Sequence, residues 1–179
     1  MEAFAFVDSF TARWRQLSAG WRLVVGTGLV IVIAFIGLTP KTLFGMAVAW
    51  PYAAFWAAVG WGMSGISLRP LVLLTLFGLF QDVADAGPLG CFMVVFIAVY
   101  GLSAFAGENL DFDADPFRRL FIAPIAIAFG FFVLWVISSS YQEYRVSIGG
   151  FIGPYLATIL GYVVFSWVFR LRPDPLRVR

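Results

Sequence analysis

Residues 69–90 read RPLVLLTLFGLFQDVADAGPLG, and the remainder of the chain is best understood outward from them. An apolar run leaves a lone arginine, reaches Gln81 and Asp82, breaks at Gly87-Pro88, and re-enters apolar sequence. From Arg69 to Asp82 a helix advances roughly 20 Å at 1.5 Å per residue. With Arg69 at one face of a hydrocarbon core about 30 Å thick, Asp82 sits inside or just short of the far edge. A carboxylate at that depth is costly and needs a partner or a purpose. Proline suits the first position of a helix, so the next helix is predicted to start at Pro88. Its partially positive N-terminus would be answered by Asp82 or Asp85. Two readings stay open: the carboxylates cap a helix in the headgroup region, or a polar hairpin around Gln81, Asp82, Asp85, Gly87, Pro88 and Gly90 forms a pocket or docking point.

Composition places this hairpin in a membrane. The 179 residues are 61% hydrophobic and 12% charged, against about 25% charged in ordinary soluble domains. No polar stretch is long enough to fold a second, soluble domain. With no histidine and one cysteine, Cys91, neither an internal disulfide nor a His/Cys zinc site can be built. Arginines lie scattered at span edges rather than in a stripe, so no nucleic-acid partner is expected.

The predicted organisation is an all-α integral membrane protein with six transmembrane helices. Residues 1–21 form an interfacial segment, because Phe6, Phe10, Trp14, Leu17 and Trp21 align on one helical face. The mixed residues ahead of the first apolar run do not read as a cleavable signal peptide. Spans fall at about 22–38, 44–62 (with a kink at Pro51), 66–82, 88–105, 117–138 and 148–169. Together 22–169 make the membrane domain, and 170–179 a basic tail. Placing the N-terminus inside puts Arg13, Arg15, Arg22, Arg69, Arg118, Arg119, Arg170, Arg172, Arg177 and Arg179 on the cytoplasmic side. Only Lys41 and Arg145 then lie outside, which accounts for all twelve basic residues. The topology is therefore N-in/C-in, with the hairpin outside and the acidic loop 106–119 inside. Trp21, Trp61 and Trp167 are expected near the inner interface, Trp135 near the outer one.

The last span repeats a small residue at every fourth position: Gly149, Gly153, Ala157 and Gly161. Such a row lets a neighbouring helix approach closely, whether within the bundle or from a partner. Ala53–Ala57 and Ala54–Ala58 form a weaker version. No catalytic set is legible. Ser138, Ser139 and Ser140 have no histidine base, and Gly26-Thr27-Gly28 lacks the third glycine and preceding strand of a phosphate loop. Asp82 and Asp85 are the only close acid pair near the membrane, with no second core-depth acid from another helix. No catalytic, cofactor or metal residues are assigned, and the chain is not expected to be an enzyme.

The motif GLFQDVADAGPLG at 78–90 resembles that of MreD, a family of small rod-shape-determining membrane proteins of bacteria. Gly78, Asp82, Gly87, Pro88, Leu89 and Gly90 stand at the family's positions between the third and fourth spans. WPYAAFWAAVGW at 50–61 resembles its second span, and the arginine-rich end its tail. The acidic 106–119 loop is a departure. The resemblance implies a non-enzymatic scaffold of the cell-elongation machinery in the bacterial inner membrane, supporting peptidoglycan synthesis. It implies pairing with MreC, and through MreC with the filament MreB, RodA and its partner transpeptidase. It also implies a fold similar to the six-helix substrate-binding subunits of energy-coupling-factor transporters. A transporter subunit of that kind, holding a small molecule near Gln81 and Asp82, is the alternative. The spans carry few polar residues, and 22–38 lacks an alanine-rich docking face, both of which favour the scaffold.

Overall fold

The computed structural model describes residues 17–39, 42–43, 46–47, 49–85, 87–109, 116–140 and 149–171. Six helices are present among them: α1 (Ala19–Gly37), α2 (Ala53–Gly62), α3 (Leu68–Ala84), α4 (Cys91–Asn109), α5 (Pro116–Ser140) and α6 (Gly149–Phe165). A two-residue antiparallel ladder, β1 (Thr42–Leu43) with β2 (Met46–Ala47), joins α1 to α2. Three stretches are long and apolar enough to cross a membrane: Ala19–Gly37, Cys91–Asn109 and Phe121–Ser140. The interfacial helix expected over 1–21 falls mostly outside the described residues, as does most of the basic tail; of the acidic loop expected over 106–119, only 110–115 falls outside, and its two ends belong to α4 and α5. What is described of the first is its end. Ser18 caps α1 by accepting the Trp21 backbone N–H at 3.4 Å.

The second element departs from expectation. Instead of one kinked span over 44–62, a ten-residue helix starts only at Ala53. Pro51 supplies no N–H and drives Trp50 towards extended backbone, so a helix cannot run through from residue 44. Trp50 holds the extended segment down by donating its indole N–H to the Ile33 carbonyl at 3.0 Å. The resulting α2 is about 15 Å long, half a bilayer core. Every one of its ten residues is buried, and it touches all five other helices. A helix that is apolar all round belongs in the centre of a bundle, and this one is there. Ala53, Ala54, Ala57 and Ala58 are consequently packing residues of the chain's own core.

Trp61 follows the same logic. It is wholly buried against Phe169, at a ring-centroid distance of 6.1 Å, and is not an interfacial anchor. Trp21 and Trp167 are exposed.

The bundle has two ends. At one, the Arg22 guanidinium donates to the Arg170 carbonyl at 3.3 Å, and the Leu171 N–H donates to Ser64 Oγ at 3.2 Å. The start of α1, the α2–α3 turn and the last described residues thus meet. The other end gathers the end of α1, the segment before α2, the end of α3 and the start of α6. Tyr155 of α6 donates its hydroxyl across the bundle to the carbonyl of Pro124, a proline inside α5, at 3.4 Å. Thr158 Oγ1 donates to the Pro154 carbonyl at 2.6 Å and accepts the Tyr52 N–H at 3.1 Å.

Candidate functional site

Asp82 lies in the last turn of α3 and is fully buried. Its Oδ2 accepts the Gly90 N–H and its Oδ1 the Phe92 N–H, each at 2.7 Å. Both donors belong to the start of α4, where the first N–H groups of a helix have no partner within it. One side chain therefore closes the end of α3 onto the beginning of α4. The backbone joins in: Gly87 N–H donates to the Asp82 carbonyl at 3.0 Å, and Asp85 N–H to the Gln81 carbonyl at 2.9 Å.

The helix does not start at Pro88 as its sequence position predicts. Gly90 adopts φ +91°, a left-handed conformation, so regular helix begins only after it, at Cys91. Pro88 instead sits in the preceding turn and accepts the Cys91 N–H at 3.2 Å. That turn is what aims the Gly90 N–H at Asp82. Deeper in the same crossing, a Cβ on Gly78 would fall onto the Met93 backbone, so α3 and α4 touch main chain to main chain.

Asp85, one turn on, has a different environment. It is exposed, and its Oδ2 accepts from Gln81 Nε2 at 2.9 Å and from the Tyr52 hydroxyl at 3.3 Å. Beside this trio lies a cavity of about 250 Å³ between α1, the segment before α2, α3 and Pro154. Trp50, Tyr52, Phe77 and Phe80 contribute its aromatic walls, Gln81 and Asp85 its polar side. Asp82 does not line it. The six hairpin residues marked by the sequence thus divide. Asp82, Gly87, Pro88 and Gly90 build the turn, whereas Gln81 and Asp85 face the cavity.

Sequence reasoning did not single out Trp50 and Tyr52 as site residues. The signal was present in the Trp-Pro-Tyr order at 50–52, which reads as an extended segment ahead of a helix once Pro51 is taken as a stop rather than a kink.

The small-residue row of α6 is turned partly inward. A Cβ on Gly161 would fall onto the Trp56 indole, and one on Gly153 would lie 2.9 Å from the Ala49 Cβ. Trp56 in turn donates its indole N–H to the Thr158 carbonyl at 2.7 Å. Ala157 is half-buried and Gly149 exposed. At Gly161 the row receives the chain's own core, and at Gly153 the segment before α2.

Fold and site together define a helical bundle with membrane-length apolar helices, a carboxylate-closed hairpin, and an aromatic cavity next to it. Comparison with protein-family models, with curated proteins and with solved structures gives no match.

Proposed function

We propose that this chain is an N-in/C-in scaffold of the bacterial inner membrane that crosses it six times, the second crossing made by the segment before α2 together with α2, of the MreD kind, serving the cell-elongation complex through MreC. The observation that carries the reading is the Asp82 closure. It falls within the GLFQDVADAGPLG motif on which the resemblance rests, and it employs both carboxyl oxygens on backbone N–H groups. A carboxyl group with both oxygens so occupied is a positioning device rather than an acid or base. It fixes the shape of the α3–α4 hairpin, and a fixed outer surface is what a bitopic partner with a periplasmic bulk requires. The large exposed apolar side chains of α1 and α6, among them Val32, Phe35, Leu160 and Val164, suit lipid and partner helices.

The orientation is supported by the arginine distribution and by the meeting of Arg22 with residue 170 at one end of the bundle. Reporter fusions after residue 113 and after residue 171 should both read cytoplasmic, and one within 86–88 periplasmic. A periplasmic reading at 171 would refute the topology.

The test of function is a mild-detergent pull-down of tagged chain from native membranes, with co-purifying proteins identified by mass spectrometry. The scaffold reading expects MreC and elongation synthases. Recovery of transporter ATPase subunits instead would establish the second reading, a small-molecule-binding transporter subunit. The specific observation favouring that second reading is the aromatic cavity beside Gln81 and Asp85.

A further inference from the structure

The cavity of about 250 Å³ at the hairpin end has walls that are held in place before any ligand arrives. The Trp50 indole is tied to Ile33 by its N–H and backed by Gly37, where an added Cβ would lie 2.9 Å from the ring. Phe80 packs against Phe35 at 5.8 Å, and Tyr52 against Phe92 at 5.3 Å. On the polar side, Asp85 Oδ2 receives two neutral donors, Tyr52 and Gln81, while Oδ1 accepts no hydrogen bond among the described residues. Among those residues no cation pairs with Asp85 either. Among the described residues, therefore, a carboxylate with no balancing charge stands at an aromatic pocket, and aromatic faces carry the same negative sign.

We propose that this cavity binds a small organic ammonium group, with the nitrogen against Asp85 and its carbons on the faces of Trp50 and Tyr52. Carboxylate and ring faces both attract a cation, and attract it more strongly once water is displaced. Size agrees: the volume lies below the 300–1,000 Å³ typical of pockets for larger ligands, which suits an ethanolamine- or choline-sized group. The competing chemistries fit less well. An anion would meet Asp85 head on, and an acyl chain would cover Gln81 and Asp85 without giving them partners. The ammonium can belong to a free amine or to a zwitterionic phospholipid headgroup. Its site stands whether the chain is a scaffold or a transporter subunit.

Purified full-length chain in detergent would be unfolded thermally while choline chloride or ethanolamine hydrochloride is titrated against sodium chloride at equal ionic strength. In parallel, native mass spectrometry would follow release from nanodiscs of mixed phosphatidylethanolamine and phosphatidylglycerol. Saturable stabilisation by the free amines assigns a free ligand. Selective retention of phosphatidylethanolamine assigns a headgroup. In either arm Asp85→Asn should weaken binding roughly tenfold or more, as loss of a charge-assisted contact does. Trp50→Phe, which keeps an aromatic face, should weaken it less. Asp85 is exposed and the amide keeps an oxygen for Gln81 and Tyr52, so the variant should fold. Three results would overturn the site: a response no larger than that to sodium chloride, equal binding in Asp85→Asn, or an amine response that emerges only in Lys41→Gln, which would give the carboxylate to the chain's own lysine.

Discussion

Asp82 and Asp85 stand three residues apart on the same helix end, yet they live in different worlds. Asp82 is sealed from solvent and spends both oxygens on backbone N–H groups of α4. Asp85 is exposed, lines the cavity, and is held through Oδ2 by two side chains. The difference comes from the turn between them and α4. Gly90, in its left-handed conformation, brings the chain back over Asp82 and not over Asp85. A sequence reader sees two equivalent acids; the backbone makes one a clasp and sets the other in the wall of the cavity.

The contrast predicts a graded response to substitution. Asp82→Ala leaves the Phe92 N–H buried without an acceptor and frees that of Gly90. With charged-group hydrogen bonds contributing about 1.5–3 kcal/mol each, the loss should reach about 3–5 kcal/mol. That exceeds the ~0.6 kcal/mol average of interhelical side-chain bonds in membrane bundles, because here the acceptor is a carboxyl group and the donors are helix-start N–H groups with no partner in their own helix. Denaturant or thermal unfolding in detergent would check it, and a change under ~1 kcal/mol would erase the distinction between the two acids.

Next in size is the stem below the clasp. Gly78→Val would drive a side chain into the Met93 backbone, and overpacking of this kind costs about 1–3 kcal/mol. Gly28→Ala, at a glycine with nothing within 4 Å, is the matched control. It should be neutral or slightly stabilising, since alanine is the better helix former. Equal effects at 28 and 78 would mean that the α3–α4 crossing is not as close as described.

Backbone exchange sharpens the comparison further. Asp82→Asn should speed hydrogen–deuterium exchange in peptides covering 87–94, whereas Asp85→Asn should leave them at the wild-type rate. Smallest of all, Asp85→Asn should alter stability by less than ~1 kcal/mol, the range of exposed polar contacts. A large loss there would make Asp85 part of the clasp.

Much of this was legible in the sequence, and the reasons are physical. Apolar run length and sparse charge mark out helices of membrane length, as at Ala19–Gly37 and Cys91–Asn109. A carboxylate ending an apolar run before Gly-Pro-Leu-Gly marks the hairpin. Hydropathy is blind, however, to whether an apolar helix faces lipid or other helices. Residues 44–62 therefore read as a second span, although among the described residues of that stretch the helix is Ala53–Gly62 alone, and it is enclosed on all sides. The same blindness assigned Trp61 to an interface when it lies in the core. The division of labour between Asp82 and Asp85 was beyond one-dimensional reading as well. It depends on the φ of Gly90 and on Trp50 and Tyr52, some thirty residues earlier, folding back beside α3.

The most direct test of the central claim is the amount of MreC recovered per folded copy of tagged chain, in native membranes expressing wild type, Asp82→Ala or Asp85→Asn. If the clasp shapes the surface that a partner reads, Asp82→Ala should lose most of the MreC while Asp85→Asn keeps the wild-type ratio. Full recovery with Asp82→Ala, or the same loss in both variants, would contradict it.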